Sequence, residues 1–153
     1  MQKLELRIPP LLLMMAVALF MVLMVQSWPM FHFTLPFGHW LALSFLLFGV
    51  VVALLGVLTF RRANTTVDPR YPEKSASLVV SGIYRYSRNP MYLGFLLILL
   101  AVACFLAHAL AFVWLPLFVL YMNRFQILPE ERFMQQKFAA QFSQYKTQVR
   151  RWL

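Results

Sequence analysis

Charge is what this chain has least of. Asp, Glu, Lys and Arg make up 12% of its 153 residues, while 61% are hydrophobic. Soluble domains carry about 25% charged residues, so there is too little polar surface here to wrap a water-soluble globule. Cysteine is nearly absent as well. Cys104 stands alone inside an apolar run, which excludes an internal disulfide and a multi-cysteine metal site and leaves it as a buried small hydrophobe. The histidines His32, His39 and His108 lack metal-ligand spacing on any one helix and read as structural or solvated, so no metal site is expected. No Gly-rich phosphate loop is present and no GxGxxG follows a strand, so a soluble-type nucleotide fold is excluded. No Ser, His and acid set points to a hydrolase.

What the chain has in quantity is uncharged apolar length. Four segments stand out, at about 9–27, 39–60, 91–107 and 109–128. A membrane span needs about 20 residues, with a range of about 17–25. The first two pass easily. The third is short, and the fourth contains Pro116, Asn123 and Arg124. Only a few residues around His108 separate these two, which suits a tight helical hairpin, and Pro116 is expected to kink its second arm. Lys3 and Arg7 give the first segment a basic start like that of a signal peptide. Val25-Gln26-Ser27-Trp28-Pro29 is nevertheless a poor small-x-small cleavage site, so the segment reads as a retained span.

The few charges have a pattern. Lys3, Glu5 and Arg7 precede the first span, and the loop from Trp28 to Gly38 carries none. The 61–90 loop holds Arg61, Arg62, Asp68, Arg70, Glu73, Lys74, Arg85 and Arg88. The hairpin turn carries none, and Arg124, Glu130, Glu131, Arg132, Lys137, Lys146, Arg150 and Arg151 follow. With four spans, all 14 basic and 5 acidic side chains fall on one side of the bilayer. The positive-inside rule makes that side cytoplasmic, with both termini inside, in a bacterial inner membrane. The net charge of +9 is then an orientation signal toward anionic membrane lipids, and nucleic acid is not an expected partner.

The expected fold is therefore all-α. It is a single-domain polytopic transmembrane helical bundle of about four spans, with a C-terminal helical hairpin, a cytoplasmic loop at 61–90 and a cytoplasmic tail at 129–153. Gly49, Ala53 and Gly56 fall on one face of the second span, as in close helix–helix packing. Trp28, Trp40 and Trp114 lie near the uncharged side. In the tail, Phe138, Phe142, Tyr145, Val149 and Trp152 recur at spacings of three and four, the mark of an amphipathic helix. Such a helix can lie on the membrane or pack over the loop as a lid, and periodicity fits both. Nothing in the sequence specifies an oligomeric state.

Chemistry is left to the cytoplasmic layer. One cluster, Ser81-Gly82-Ile83-Tyr84-Arg85-Tyr86-Ser87-Arg88-Asn89-Pro90-Met91-Tyr92-Leu93-Gly94, ends the long loop and opens the third span. Another, Pro129-Glu130-Glu131-Arg132, follows the fourth. The hairpin should bring the two together, with Pro90 in a first helical turn where its missing N–H costs nothing. Arg, Tyr and Glu also serve as plain interfacial anchors. Two adjacent carboxylates beside anionic lipid are unfavourable, however, unless a cation or a basic partner answers them.

The pattern Gly82-x-Tyr84-Arg85-x2-Arg88-Asn89-Pro90-x-Tyr92-x-Gly94, then a hairpin, then Glu130-Glu131-Arg132, resembles the isoprenylcysteine carboxyl methyltransferase and phospholipid methyltransferase family. The likeness covers roughly residues 45 to 153 and includes the stretch from Phe60-Arg61-Arg62 to Lys74 and the one from Tyr145 to Trp152. One position departs. Where the family often has Arg-His-Pro, this chain has Arg88-Asn89-Pro90, and Asn cannot carry a proton.

The resemblance implies S-adenosylmethionine as methyl donor, and the residue chemistry agrees with that. Arg88 can fork onto the donor carboxylate and Asn89 can add a hydrogen bond. Pro90 opens the helix, Tyr92 lines the pocket, and Gly94 lets the cofactor approach the backbone. Glu130 or Glu131 can hold the ammonium or a ribose hydroxyl. The acceptor is expected to be a lipophilic small molecule or lipid. Glu131 is the candidate base for an amine or hydroxyl acceptor, while Arg85 or Arg124 can orient a carboxylate one. The alternatives are a lipid reductase using a nicotinamide cofactor and a non-catalytic membrane protein retaining the fold.

Overall fold

A computed structural model of the protein describes residues 5–63 and 77–153. Lys3, and Asp68, Arg70, Glu73 and Lys74 of the 61–90 loop, lie outside the described residues. Every regular element described is helical: α1 (Pro10–Ser27), α2 (Gly38–Arg62), α3 (Pro90–Leu106), α4 (Ala109–Tyr121) and α5 (Leu128–Gln148), with a π-helical turn at Met122–Ile127. Short 3-10 turns cover Pro29–Phe31 and Gly82–Arg85. By length and composition three helical stretches suffice to cross a membrane, Pro10–Ser27, Gly38–Arg62 and Ala109–Gln148, and α3 is a shorter apolar helix of 17 residues. The chain is an all-α integral membrane bundle.

Helix α3 is the hub. It packs most extensively on α2 and also touches α1 and α4. The α2–α3 contact depends on missing side chains. A Cβ at Gly94 would sit 2.6 Å from the Gly49 carbonyl oxygen and 2.7 Å from Ala53 Cβ. One at Gly56 would sit 2.6 Å from Met91 Cγ. In lipid, where apolar surface drives helices together only weakly, such backbone approach is the main source of attraction. Met21, Leu99, Phe118 and Met122 are fully buried where α1, α3 and α4 converge. Leu47, Phe48, Val51, Leu54 and Leu55 of α2 are exposed, as lipid-facing residues should be. Ser44 and Thr59 return their hydroxyls to the Trp40 and Leu55 carbonyls at 2.8 and 2.7 Å, so neither presents an unsatisfied donor to hydrocarbon.

The uncharged end of the bundle is closed by the hairpin tip. Ala107 adopts a left-handed conformation (φ 45°) that ends α3, and its carbonyl accepts from Phe33 N–H at 3.0 Å. His108 is fully buried and its Nε2 donates to the Trp28 carbonyl at 2.8 Å. Its role is structural: it ties the α1–α2 loop to the hairpin.

One expectation needs correction: the tail spacing predicts a helix through Val149 and Trp152, but the helix ends at Gln148 and Val149 is extended. Upstream, α4 runs through Pro116 to Tyr121 and the π-helical turn follows at Met122–Ile127. The chain stays helical from Ala109 to Gln148, 40 residues, interrupted by the non-helical backbone of Ala139 (φ 32°). At 1.5 Å per residue such a length is roughly twice the hydrocarbon thickness, so α5 projects beyond the membrane. Its apolar stripe turns inward: Phe142, Tyr145 and Val149 are buried together against Leu78, Met134 and Phe138, and Trp152 packs against the main core.

Candidate functional site

Gly82, at φ +60°, starts the turn that buries Tyr84 and leaves Arg85 and Tyr86 exposed. Ser87, fully buried, accepts from the Asn89 N–H at 3.1 Å and sets the entry into α3 at Pro90. On the facing wall α5 carries Glu130 and Glu131 in its first turn. Neighbours on a helix point about 100° apart, so the two carboxyls meet different surroundings.

Glu131 lies between two guanidiniums. Arg88 NH2 donates to its Oε1 at 2.7 Å, while Arg151 donates through Nε to Oε1 at 3.1 Å and through NH2 to Oε2 at 2.6 Å. Burial alone would raise the Glu131 pKa, but the hydrogen bonds and charges of Arg151 and Arg88 outweigh it and hold the carboxyl below its usual range. Glu130 has no such partner among the described residues. The Tyr92 hydroxyl donates to its Oε1 at 2.5 Å. Burial pushes it up to about 8, against the pull of that hydrogen bond and with help from the Glu131 charge.

The C-terminal segment crosses the same loop as an extended strap. Arg88 donates from its backbone N–H to the Arg150 carbonyl at 3.1 Å and from NH1 to the Val149 carbonyl at 2.6 Å. Asn89 Nδ2 donates to the Arg151 carbonyl at 3.0 Å, and Trp152 Nε1 to Asn123 Oδ1 at 3.1 Å. Between the end of α2, the loop over residues 77–89 and α5 lies a cavity of about 90 Å³. Arg88, Asn89, Glu130 and Glu131 line its polar side, and Phe60, Tyr84, Met134, Phe142 and Tyr145 its apolar side. Two buried polar atoms on these walls, Arg88 Nε and the Tyr84 hydroxyl, have no hydrogen-bond partner among the described residues. Burial also pushes the Tyr84 and Tyr145 phenols up, so both stay neutral.

The structure thus brings together Arg88, Asn89, Glu130 and Glu131 as the hairpin topology suggested. Tyr92 reaches the cavity only through Glu130, and Pro90 is a buried helix start outside the lining. Gly94 is a correction: it faces Gly49 and Ala53 of α2, so the missing Cβ makes room for a helix and not for a cofactor. Arg124 is another. Its side chain lies 3.7 Å from Glu5, which also pairs with Arg132 at 2.5 Å, in a cluster outside the cavity lining. Arg85 is exposed and does not line the cavity. As a catalytic base Glu131 is poorly suited, since two guanidiniums stabilise its ionised form. Sequence reasoning missed Tyr84 as a wall, Tyr145, whose hydroxyl donates to the Tyr84 carbonyl at 2.6 Å, and Arg151. Tyr84 sat inside the conspicuous cluster, whereas Arg151 resembled every other tail charge.

Comparison with known proteins agrees with the family read from the residues. A family model described as phospholipid methyltransferase matches residues 37–141. An uncharacterised protein of Haemophilus influenzae is 46% identical over 63 residues, 41% of this chain and 100% of that one. Probable protein-S-isoprenylcysteine O-methyltransferases from the indica and japonica subspecies of Oryza sativa are each 31% identical over 116 residues, 74% of this chain. The aligned part is 59% of the length of each rice protein. No solved structure gives a significant match. With the matched region running from the start of α2 into α5 and holding every residue that lines the cavity except Phe142 and Tyr145, the chain belongs to the phospholipid methyltransferase family of integral membrane proteins.

Proposed function

We propose that the protein is an S-adenosylmethionine-dependent methyltransferase acting on a lipophilic acceptor at the cytoplasmic face of a bacterial inner membrane, with both termini on that face. The observation that carries the reading is the cavity in which Arg88, Asn89 and Glu130 converge beside two unpartnered buried polar atoms, Arg88 Nε and the Tyr84 hydroxyl. These groups fit the donor. The Arg88 Nε–H, unpartnered among the described residues, is a charged donor for a carboxylate, Asn89 adds amide contacts, and Glu130 is a buried carboxyl that meets no cation among those residues. The cavity holds only part of such a molecule, because about 90 Å³ is well below the ~300–1,000 Å³ of small-molecule pockets. Donor binding is therefore accompanied by widening of the wall.

When bound, the donor would supply an electrophilic methyl group for in-line displacement. The chain's own contribution is alignment and water exclusion. Arg88, held through NH2 by Glu131 and through NH1 by the Val149 carbonyl, presents its Nε–H in a fixed position. Tyr84, Phe142 and Tyr145, all buried, keep the chamber dry. For an amine or hydroxyl acceptor, Glu130 is the candidate base once pH rises toward about 8, where it gives up the proton that burial otherwise keeps on it. Facing the bilayer, the bundle admits a greasy acceptor, which we read as a membrane lipid or lipidated molecule.

The test is calorimetric titration of purified, detergent-solubilised protein with S-adenosylmethionine, followed by incubation with labelled donor and a total lipid extract. Saturable binding and label transfer to an extractable lipid are expected. Absence of donor binding with lipid present would overturn the proposal.

A further inference from the structure

The cavity is unusual in what lines its apolar side. Phe60, Tyr84, Phe142 and Tyr145 all border about 90 Å³, the space of a few water molecules. Phe60 and Tyr84 lie 5.1 Å apart between ring centroids, and Tyr84, Phe142 and Tyr145 are 4%, 4% and 6% exposed. The charges on the opposite side do not balance evenly. Glu131 is answered by Arg88 and Arg151, whereas among the described residues Glu130 meets the Tyr92 hydroxyl and no cation. The Tyr84 hydroxyl, on a residue that also lines the cavity, has no partner among the described residues. A small chamber with aromatic rings on one side, holding one buried carboxyl with no counter-ion among the described residues, is chemically a receptor for an organic cation, whose arrival would draw off the proton that burial otherwise keeps on Glu130. Ring quadrupoles attract a diffuse positive charge, most strongly when it is desolvated.

We infer that this chamber is an onium subsite, in which Glu130 and the rings of Phe60, Tyr84, Phe142 and Tyr145 receive a small alkylated cation, a sulfonium or a methylated ammonium. The inference deepens the methyl-transfer reading and rests on it for the source of the cation. That source is either the sulfonium of the methyl donor or the amine head of the acceptor, and the chemistry of recognition is the same. An alkylated cation suits the chamber better than a lysine-like ammonium. The aromatic side offers few hydrogen-bond acceptors, and a methylated onium needs none. The arrangement would also help product leave, because transfer turns the donor's sulfonium into a neutral thioether and removes the charge that the rings and Glu130 attract.

The experiment uses the full chain in detergent and two probes of nearly identical shape, choline and its neutral isostere 3,3-dimethylbutan-1-ol, each titrated calorimetrically. Choline should bind, with the isostere weaker by about tenfold or more. Glu130→Gln, which keeps the shape of the side chain, should lower choline affinity by about tenfold and narrow the gap between the probes. Tyr84→Leu should do the same by removing a ring. Equal binding of the two probes, no binding of either, or an unchanged choline affinity in folded Glu130→Gln each overturns the subsite. The sources separate on adding S-adenosylmethionine to choline-loaded protein. Competition assigns the chamber to the donor, and simultaneous binding assigns it to the acceptor head. If choline is selected over its isostere but S-adenosylmethionine does not bind at all, methyl transfer falls and the subsite stands. If S-adenosylmethionine binds but the probes are not distinguished, the subsite alone falls.

Discussion

Arg151 clamps Glu131 through two parallel hydrogen bonds, Nε to Oε1 at 3.1 Å and NH2 to Oε2 at 2.6 Å, across 20 residues of chain. The pair is partly buried, with side-chain exposures of 31% and 16%. It fixes the closing segment against the first turn of α5, while Arg88 spans the same carboxylate and the strap's Val149 carbonyl.

Arg151→Ala should therefore destabilise the strap by about 1–3 kcal/mol, the range for losing charge-assisted hydrogen bonds from a partly buried group. Arg151→Lys should recover only part of this, because an ammonium cannot reproduce the planar fork. Thermal unfolding in detergent, with Trp152 fluorescence as a local probe, checks both. Equal stability for all three proteins would show that the pair contributes nothing.

Arg88→Ala should weaken S-adenosylmethionine binding by about 1.5–3 kcal/mol, as for loss of a charged hydrogen bond. Glu131→Ala should act similarly, but indirectly, by freeing the Arg88 side chain. Titration calorimetry is the readout. If neither variant changes the affinity, the donor does not bind in this cavity.

Glu130 makes a pH prediction. Its folded pKa, about 8, lies above the ordinary 4.5, so the folded protein holds a proton that the unfolded chain releases. The associated stability is complete below about 4.5 and is lost as pH rises through about 8. Tyr92, Tyr84, Glu131 and Arg88 are the charged or titratable groups around it. Melting temperature should fall across that window in the parent protein, and fall less in Glu130→Gln. The same decline in both would assign it to another group.

Gly94→Ala should fail where Gly38→Ala succeeds. The new Cβ would meet α2 backbone at 2.6 Å in the first case, but only contacts of 3.3–3.4 Å in the second. Overpacking of this kind costs about 1–3 kcal/mol or more. Comparing the folded fraction of the two variants by size-exclusion chromatography in detergent decides the point.

Arg124→Ala should leave donor affinity within about twofold, since its partner is Glu5, 3.7 Å away and outside the cavity lining. A large loss would return Arg124 to the site.

How far these features could be read from the residues varies with the range of the information. Four apolar segments and one-sided charge are local properties, and they imply a bundle with one polar end. The meeting of Arg88 with Glu131 followed too, because a short uncharged turn at His108 forces the two arms of the hairpin to share an end. Gly94 was misread because a glycine records only that something comes close, not what. Arg124 was misplaced because its partner, Glu5, lies far away in sequence. The strap gave a misleading signal, since Val149 and Trp152 continue the three-and-four spacing of Phe142 and Tyr145 although the helix ends at Gln148, and Arg151 gave none. The amphipathic stripe of α5 was visible, but only packing against Leu78 and Met134 shows that it faces protein.

The π-helical turn at Met122–Ile127 has a consequence for how this chain tolerates change. A single π turn carries roughly one residue more than the α turn it replaces, and one residue is about 100° of rotation around the axis. The turn therefore acts as a rotary coupling. It sets the angular phase of Glu130 and Glu131 independently of the phase in which α4 meets lipid. Forcing the same residues into ordinary α geometry would turn the carboxyls about 100° away from Arg88, so a bundle could insert and pack normally and still lack its cavity. The winding of this short stretch is thus constrained by angle more than by reach.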